Sequence, residues 1–222
     1  MFTAHNRRMS SERAHEERGP RPTVTRVERV PRKRERIALP GGAELRALEP
    51  GDARELHALI EANRAHLAEW LPWAARQTGE DTERFIAWSR EQPGNTNGCQ
   101  AAIVDRGVIV GVIGSHGFDR QHSCAHLGYW LAEDAQGRGT MTQALGAMLD
   151  EALDAWGLHR VEVRATVENE RSRALIERVG FTFEGVAREA FRLGGTFRDD
   201  AVYSMLAAEW RALRRAGAAA RE

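Results

Sequence analysis

Residues 136–139 read Gln-Gly-Arg-Gly, with Thr140 and Met141 following. Gly137 and Gly139 have no Cβ, so an anion can approach their backbone closely. Where such a loop opens a helix, the first N–H groups lack helical partners and sit at the positive end of the dipole, a setting that attracts phosphate. A tight turn with close helix packing would use the same glycines, so they do not decide alone. Two familiar phosphate loops are excluded. A Walker loop needs Gly-Lys-Ser/Thr, and Lys33 is the only lysine; a dinucleotide fingerprint calls for a third glycine at 142, where Thr142 stands. His116, His122 and His126 straddle a turn without a carboxylate or cysteine at ligand spacing, so no metal is expected. Histidine titrates near neutrality, so His126 could take a proton from a reacting group directly or through water. A structural strand histidine is the competing reading. Ser172 by itself suits helix capping.

These residues need elements to place them. Glu44 to Leu48 alternates as a short strand. Asp52 then heads a helical run through Leu56, Leu59, Ile60 and Leu67, broken by Trp70-Leu71-Pro72-Trp73. A second helix carries Phe85, Ile86 and Trp88 and stops before Pro93-Gly94. From Cys99 the period becomes that of strands. Gln100 to Val104 and Val108 to Ser115 flank Asp105-Arg106-Gly107 as a hairpin, and Ala125 to Leu131 forms another strand. Met141, Leu145, Met148, Leu149, Leu153 and Trp156 recur at helical steps up to Gly157. Val161 to Val167 reads as a strand and Ser172 to Val179 as a helix stopped by Gly180. Phe181 to Phe191 and Phe197 to Leu206 form a last hairpin about Gly194-Gly195. The glycine loop thus lies inside a strand–helix–strand unit of a mixed α/β chain.

The chain has 222 residues, 42% hydrophobic and 29% charged, enough for one sizeable core. Basic and acidic residues balance at 32 each but are unevenly placed. Residues 1–38 hold eleven basic residues against five Glu, leaving 21 basic and 27 acidic residues in 39–222. The first segment reads as a disordered basic extension, residues 39–215 as the folded domain and 216–222 as a flexible tail. An acidic fold suits a cationic acceptor better than nucleic acid, which only the basic arm could contact. Cys99 and Cys124 stand apart with no disulfide framework, and no run of about 18 apolar residues occurs. A cytoplasmic protein without a membrane span is expected, as monomer or homodimer.

Downstream of the glycine loop, residues 169–181 read Asn-Glu-Arg-Ser-Arg-Ala-Leu-Ile-Glu-Arg-Val-Gly-Phe. Here the chain resembles the GNAT acetyltransferase superfamily, whose acyl-CoA loop reads Gln/Arg-x-x-Gly-x-Gly/Ala. Gln136 and Gly139 match; Met141 departs from the small final residue, as is common in the RimJ/RimL-type branch of ribosomal-protein N-terminal acetyltransferases. That branch is similar over nearly all of residues 40–210. The resemblance includes Trp70-Leu71-Pro72-Trp73, Gly128-Tyr129-Trp130-Leu131, Arg171-Ser172-Arg173-Ala174, Gly180-Phe181-x-x-Glu184-Gly185 and Tyr203-Ser204.

The resemblance implies an α/β (α+β) GNAT fold: a mixed, mostly antiparallel sheet of about seven strands, four flanking helices and a V-shaped splay holding acyl-CoA. Acetyl-CoA would be the co-substrate, with backbone N–H groups from Gln136 through Gly137, Arg138, Gly139 and Thr140 to Met141 around its pyrophosphate. Trp130 and Leu131 would line the pantetheine, with Asn169 making polar contacts to it. Relatives commonly protonate the leaving sulfur with a Tyr where Ile176 stands here; in the RimL-type branch a Ser takes that role, and Ser172 matches it. Relatives often carry Glu where this chain has His126, which makes His126 the candidate base, with Glu133 a weaker one. Trp70, Trp73 and Tyr129 would line the acceptor groove, although Trp70, Trp73, Trp88 and Trp156 also read mainly as core. The expected reaction is acetyl transfer to a primary amine, first a protein N-terminal α-amine such as that of a ribosomal protein. A polyamine, an aminoglycoside or another antibiotic amine is the alternative, and a non-catalytic acyl-CoA sensor a further one.

Overall fold

The computed structural model describes residues 36–91 and 99–219. The expected extension as far as residue 35, the Pro93-Gly94 helix stop and residues 220–222 lie outside these. Eight strands form one sheet in the order β1-β2-β3-β4-β5-β6-β8-β7. They are β1 Arg36–Ala38, β2 Glu44–Ala47, β3 Gln100–Asp105, β4 Val108–Asp119, β5 Cys124–Leu131, β6 Arg160–Thr166, β7 Thr182–Leu193 and β8 Thr196–Leu206. The helices are α1 Ala53–Ala62, α2 Arg64–Ala68, α3 Gly79–Glu91, α4 Thr140–Leu149, α5 Glu170–Val179 and α6 Ala207–Ala219.

The mixed, mostly antiparallel sheet is as expected, with eight strands where about seven were read, because Arg36–Ala38 pairs with β2, Ile37 opposite Leu45. Several other expectations are corrected. Strand β1 lies within the segment read as an extension. Six helices, not four, flank it among the described residues. The first helical run divides at Asn63, and α6 carries helix into the expected tail as far as Ala219. Asp52 precedes α1 but makes no side-chain cap. Its carboxylate instead takes Arg46 Nη2 at 2.8 Å and the Glu49 N–H at 2.7 Å. The long central helix widens after Leu149 into a π turn over Asp150–Ala155, where the Trp156 N–H reaches Glu151 C=O at 2.8 Å.

Strand alternation sends side chains to two cores. On one face Leu127, Leu131, Val161, Val163, Ala201 and Tyr203 pack with Leu145 and Leu149 of α4 and Ile176 of α5. On the other, Ala102, Val104, Ile109 and Val112 pack with Leu56 and Ile60 of α1, Ile86 of α3 and, partly buried, Trp130. That second core draws on no residue of β6, β7 or β8, and on this face β6 carries Arg160, Glu162, Arg164 and Thr166.

One pair of strands breaks the antiparallel pattern. β5 and β6 run parallel and pair only from Cys124–Arg160 to Leu127–Val163. Beyond that point Gly128 to Leu131 stay with β4, and Arg164 to Thr166 stay with β8. The sheet therefore opens into a V, whose β5 wall offers backbone groups to an extended ligand.

Candidate active site

The loop from β5 into α4 crosses the mouth of this V. Gly137 and Gly139 adopt φ of 76° and 79°, the left-handed region that glycine enters without a Cβ penalty. No atom lies within 4 Å of where either Cβ would stand, so conformation rather than crowding requires them and the cradle is open. The first helical bond of α4 runs from the Gln143 N–H to Gly139 C=O at 3.1 Å. The N–H groups of Thr140, Met141 and Thr142 therefore have no acceptor within the helix. Met141 is buried in the core below, which is why a large apolar side chain ends the loop.

The loop's side chains do different work from its backbone. Gln136 Nε2 lies 2.7 Å from His66 Nε2 on α2, and its Oε1 accepts from Arg171 Nη1 of α5 at 3.2 Å. Gln136 thus ties the two sides of the mouth together. Arg138 folds back, donating from Nη2 to the Asp134 carbonyl at 2.8 Å. Arg171 is exposed beside the cradle, a place to which its motif in the sequence assigned no role. Glu133, the weaker base candidate, is held through its backbone N–H by Asn63 Oδ1 at 2.9 Å.

At the fork of the V, α5 begins with Asn169 as its cap: Oδ1 accepts the Ser172 N–H at 3.1 Å. Ser172 therefore does not cap. Its hydroxyl lies 3.0 Å from the Tyr129 hydroxyl, which comes from β5 just past the last residue paired with β6. Burial pushes the Tyr129 phenol up to about 12, although the bond to Ser172 works the other way. Tyr129 stays neutral at physiological pH, so it can donate to Ser172 and leave the serine proton free.

His126 projects from the opposite face of β5, the face of Trp130. Its ring stacks on His116, with centroids 5.7 Å apart at 23°, and Nδ1 lies 3.3 Å from Glu162 Oε1. His122 pairs instead with Asp119 at 2.9 Å. Above, Trp73 meets Trp130 at 6.2 Å between centroids. Trp73 is 40% exposed and Trp70 half-buried. Of the four tryptophans read mainly as core, only Trp156 is buried; Trp70 and Trp73, also read as groove residues, are half-buried and exposed, and exposed Trp88 stacks on Phe85 at 6.2 Å.

Residues 43–182 match the family model described as the acetyltransferase (GNAT) domain. The chain belongs to the GNAT acetyltransferase family. It is 38% identical over 168 residues to YdaF of Bacillus subtilis (strain 168), covering 75% of this chain and 92% of that protein. RimL, the ribosomal L7/L12 α-N-protein acetyltransferase solved in complex with coenzyme A, superposes with a TM-score of 0.74 at 27% identity, covering 78% and 98% of the two chains. The microcin C7 self-immunity acetyltransferase MccE, solved with acetyl-CoA and AMP, gives 0.71 at 30% identity, covering 74% and 92%. The protein is thus an acetyl-CoA-dependent acetyltransferase of GNAT type, similar to the RimJ/RimL-type enzymes.

The site fits that co-substrate. An open cradle of helix N–H groups suits a pyrophosphate, and an unpaired strand edge suits the amide-bearing pantetheine. Fold and loop bring together Tyr129, Ser172 and Asn169 at the fork, and Gln136 to Met141 at the mouth. Trp130 and Leu131 lie between them, on opposite faces of β5. Sequence reading gave no role to Arg171, to Glu162 or to the pair Thr166 and Asp200, which face each other across β6 and β8. Both of the pair are buried, and the Thr166 hydroxyl has no partner among the described residues. Burial pushes the Asp200 carboxyl up despite Arg164. Alternation could have shown that Glu162 points away from Val161 and Val163, but not toward what. No helix among the described residues is long and apolar enough to cross a membrane.

Proposed function

We propose that the enzyme acetylates a protein N-terminal α-amine by direct attack of the amine on the thioester of acetyl-CoA. The observation that carries this reading is the Ser172 hydroxyl, released from capping by Asn169 and bonded to Tyr129 where β5 leaves β6. With pyrophosphate at residues 136–141 and pantetheine along Leu131 to Gly128, the acyl end reaches that fork. The amine nitrogen forms its bond to the carbonyl carbon as His126 takes a proton from it. The carbon–sulfur bond then breaks, and the departing sulfur takes the Ser172 proton, which solvent restores through the Tyr129 contact. Backbone N–H groups near Trp130 and Leu131 supply donors to the oxyanion.

The acceptor enters from the face of Trp73 and Trp130, beside the polar wall of β6. An α-amine has an ordinary pKa of about 8 and needs only modest help to attack as the free base. RimL acts on a ribosomal-protein α-amine, as its name states, and that likeness supports the same acceptor class here. Thiol release from acetyl-CoA, measured in parallel with Ser- and Ala-initiated peptides, polyamines and aminoglycosides, tests the reading. Turnover is expected with the peptides. Turnover confined to small amines would move the acceptor to that class, and silence across the panel would place the acceptor outside all three classes.

A further inference from the structure

His126 is held on three sides. The β5–β6 register places it directly opposite Glu162, with Nδ1 3.3 Å from Oε1. His116 stacks against one face of the ring. Gly117 closes on its edge: a Cβ there would meet His126 Cδ2 at 2.7 Å, and its φ is +60°. The side chain nonetheless remains 34% exposed, and among the described residues Nε2 has no partner.

Glu162 is itself fixed. Oε1 accepts from Arg164 Nε at 2.8 Å, and Oε2 accepts from Arg160 Nη2 at 3.3 Å. Arg160 is in turn bonded to Glu184 at 2.9 Å. Burial opposes the Glu162 charge, but the bond from Arg164 and the surrounding cations outweigh it, so the carboxyl lies below its usual range. A neutral imidazole carries one proton on two nitrogens, and a carboxylate beside one nitrogen draws the proton there.

We propose that Glu162 is a positioning residue that holds His126 in the Nδ1–H form, so that the Nε2 lone pair faces the acceptor amine. The inference rests on the reading of His126 as the base. As the new carbon–nitrogen bond forms, Nε2 takes one proton from the amine nitrogen, and the imidazolium is stabilised by the Glu162 charge until water removes that proton. A role confined to neutralising Arg160 and Arg164 would leave the ring's proton unaffected by the Glu162 charge.

The test is 15N NMR of the His126 ring in the full chain, assigned with His126→Gln, for the wild type and for Glu162→Gln. The neutral wild-type ring is expected as the Nδ1–H form, shifting toward Nε2–H in Glu162→Gln. Turnover should fall about ten- to a hundredfold in that variant, with KM for acetyl-CoA moving less than about twofold. The double variant with His126→Ala should be no slower than His126→Ala alone. Glu162→Asp, which keeps the charge, should retain the tautomer and much of the rate, and Glu162→Ala, read for the same shift toward Nε2–H, serves if Glu162→Gln fails to fold. An unchanged tautomer in Glu162→Gln, or losses that add in the double variant, overturns the proposal. Full activity in His126→Ala overturns the base reading itself, while the ring spectra still report on the contact.

Discussion

Ser172 and Asn169 divide two jobs that a single serine could have held. Because Asn169 caps α5, Ser172→Ala leaves the helix start intact and removes only the hydroxyl. We expect kcat to fall about a hundredfold or more with the fold unchanged, measured as thiol release beside a thermal melt. Asn169→Ala should instead cost about 1 kcal/mol of stability and slow turnover by displacing Ser172. Tyr129→Phe carries a different signature. Its phenol titrates near 12 in the fold against about 10 in an unfolded chain. The folded state therefore favours the neutral form. Its stabilising contribution is complete below pH 10 and is lost as pH rises toward 12. Tyr203, the other tyrosine, is raised in the same direction, also first by burial, so it contributes with the same sign. Urea unfolding between about pH 9 and 11.5 should show a smaller alkaline loss in Tyr129→Phe than in the wild type. An identical loss would mean that the buried phenol is not what the alkaline limb reports.

The elements around the site act as its frame, and the proposed function assigns different elements to the two substrates. Arg64 on α2 donates to the carbonyls of Ala74 and, at 2.7 Å, Gln77, fastening the segment that carries Trp73. Arg64→Ala should raise KM for the acceptor several-fold while leaving KM for acetyl-CoA nearly unchanged, in steady-state kinetics with each substrate varied. Gly139→Ala should do the reverse, raising KM for acetyl-CoA, because a side chain at φ 79° costs about 1–2 kcal/mol and distorts the cradle. The β3–β4 hairpin, the glycine loop, α5 and the last hairpin were legible because glycines and periodicity act over a few residues. The short strand β1 was not, since Arg36-Ile37-Ala38 offers no pattern of its own and gains its state from pairing with β2. The Ala- and Arg-rich helix α6 likewise owes its place to Trp210, which donates to Asp150 at 2.9 Å. The candidate site divides in the same way. The loop and Ser172 stand in local motifs, whereas Glu162 meets His126 only through a parallel register between distant strands.

Over the whole molecule, charge separates recognition from chemistry. The segment 39–222 carries six more acidic than basic residues. Such a field raises the encounter rate of cationic acceptors and is screened by salt. For peptides with basic residues after the N-terminus, kcat/KM should fall as ionic strength rises from about 20 to 300 mM, where the screening length shrinks to several ångströms. Neutral peptides of the same length should show no such fall, which excludes a general salt effect on the enzyme. Residues 1–35 hold ten basic residues against five acidic ones, the opposite balance. If that segment recruits a large anionic assembly such as a ribosome, deleting it should leave turnover on short peptides intact and slow only the intact assembly. The slowing should vanish at high salt, because contacts to phosphate weaken steeply as counterions accumulate. Equal rates on the intact assembly with and without residues 1–35, at low salt, would remove recruitment from the account and leave the groove as the whole of acceptor recognition.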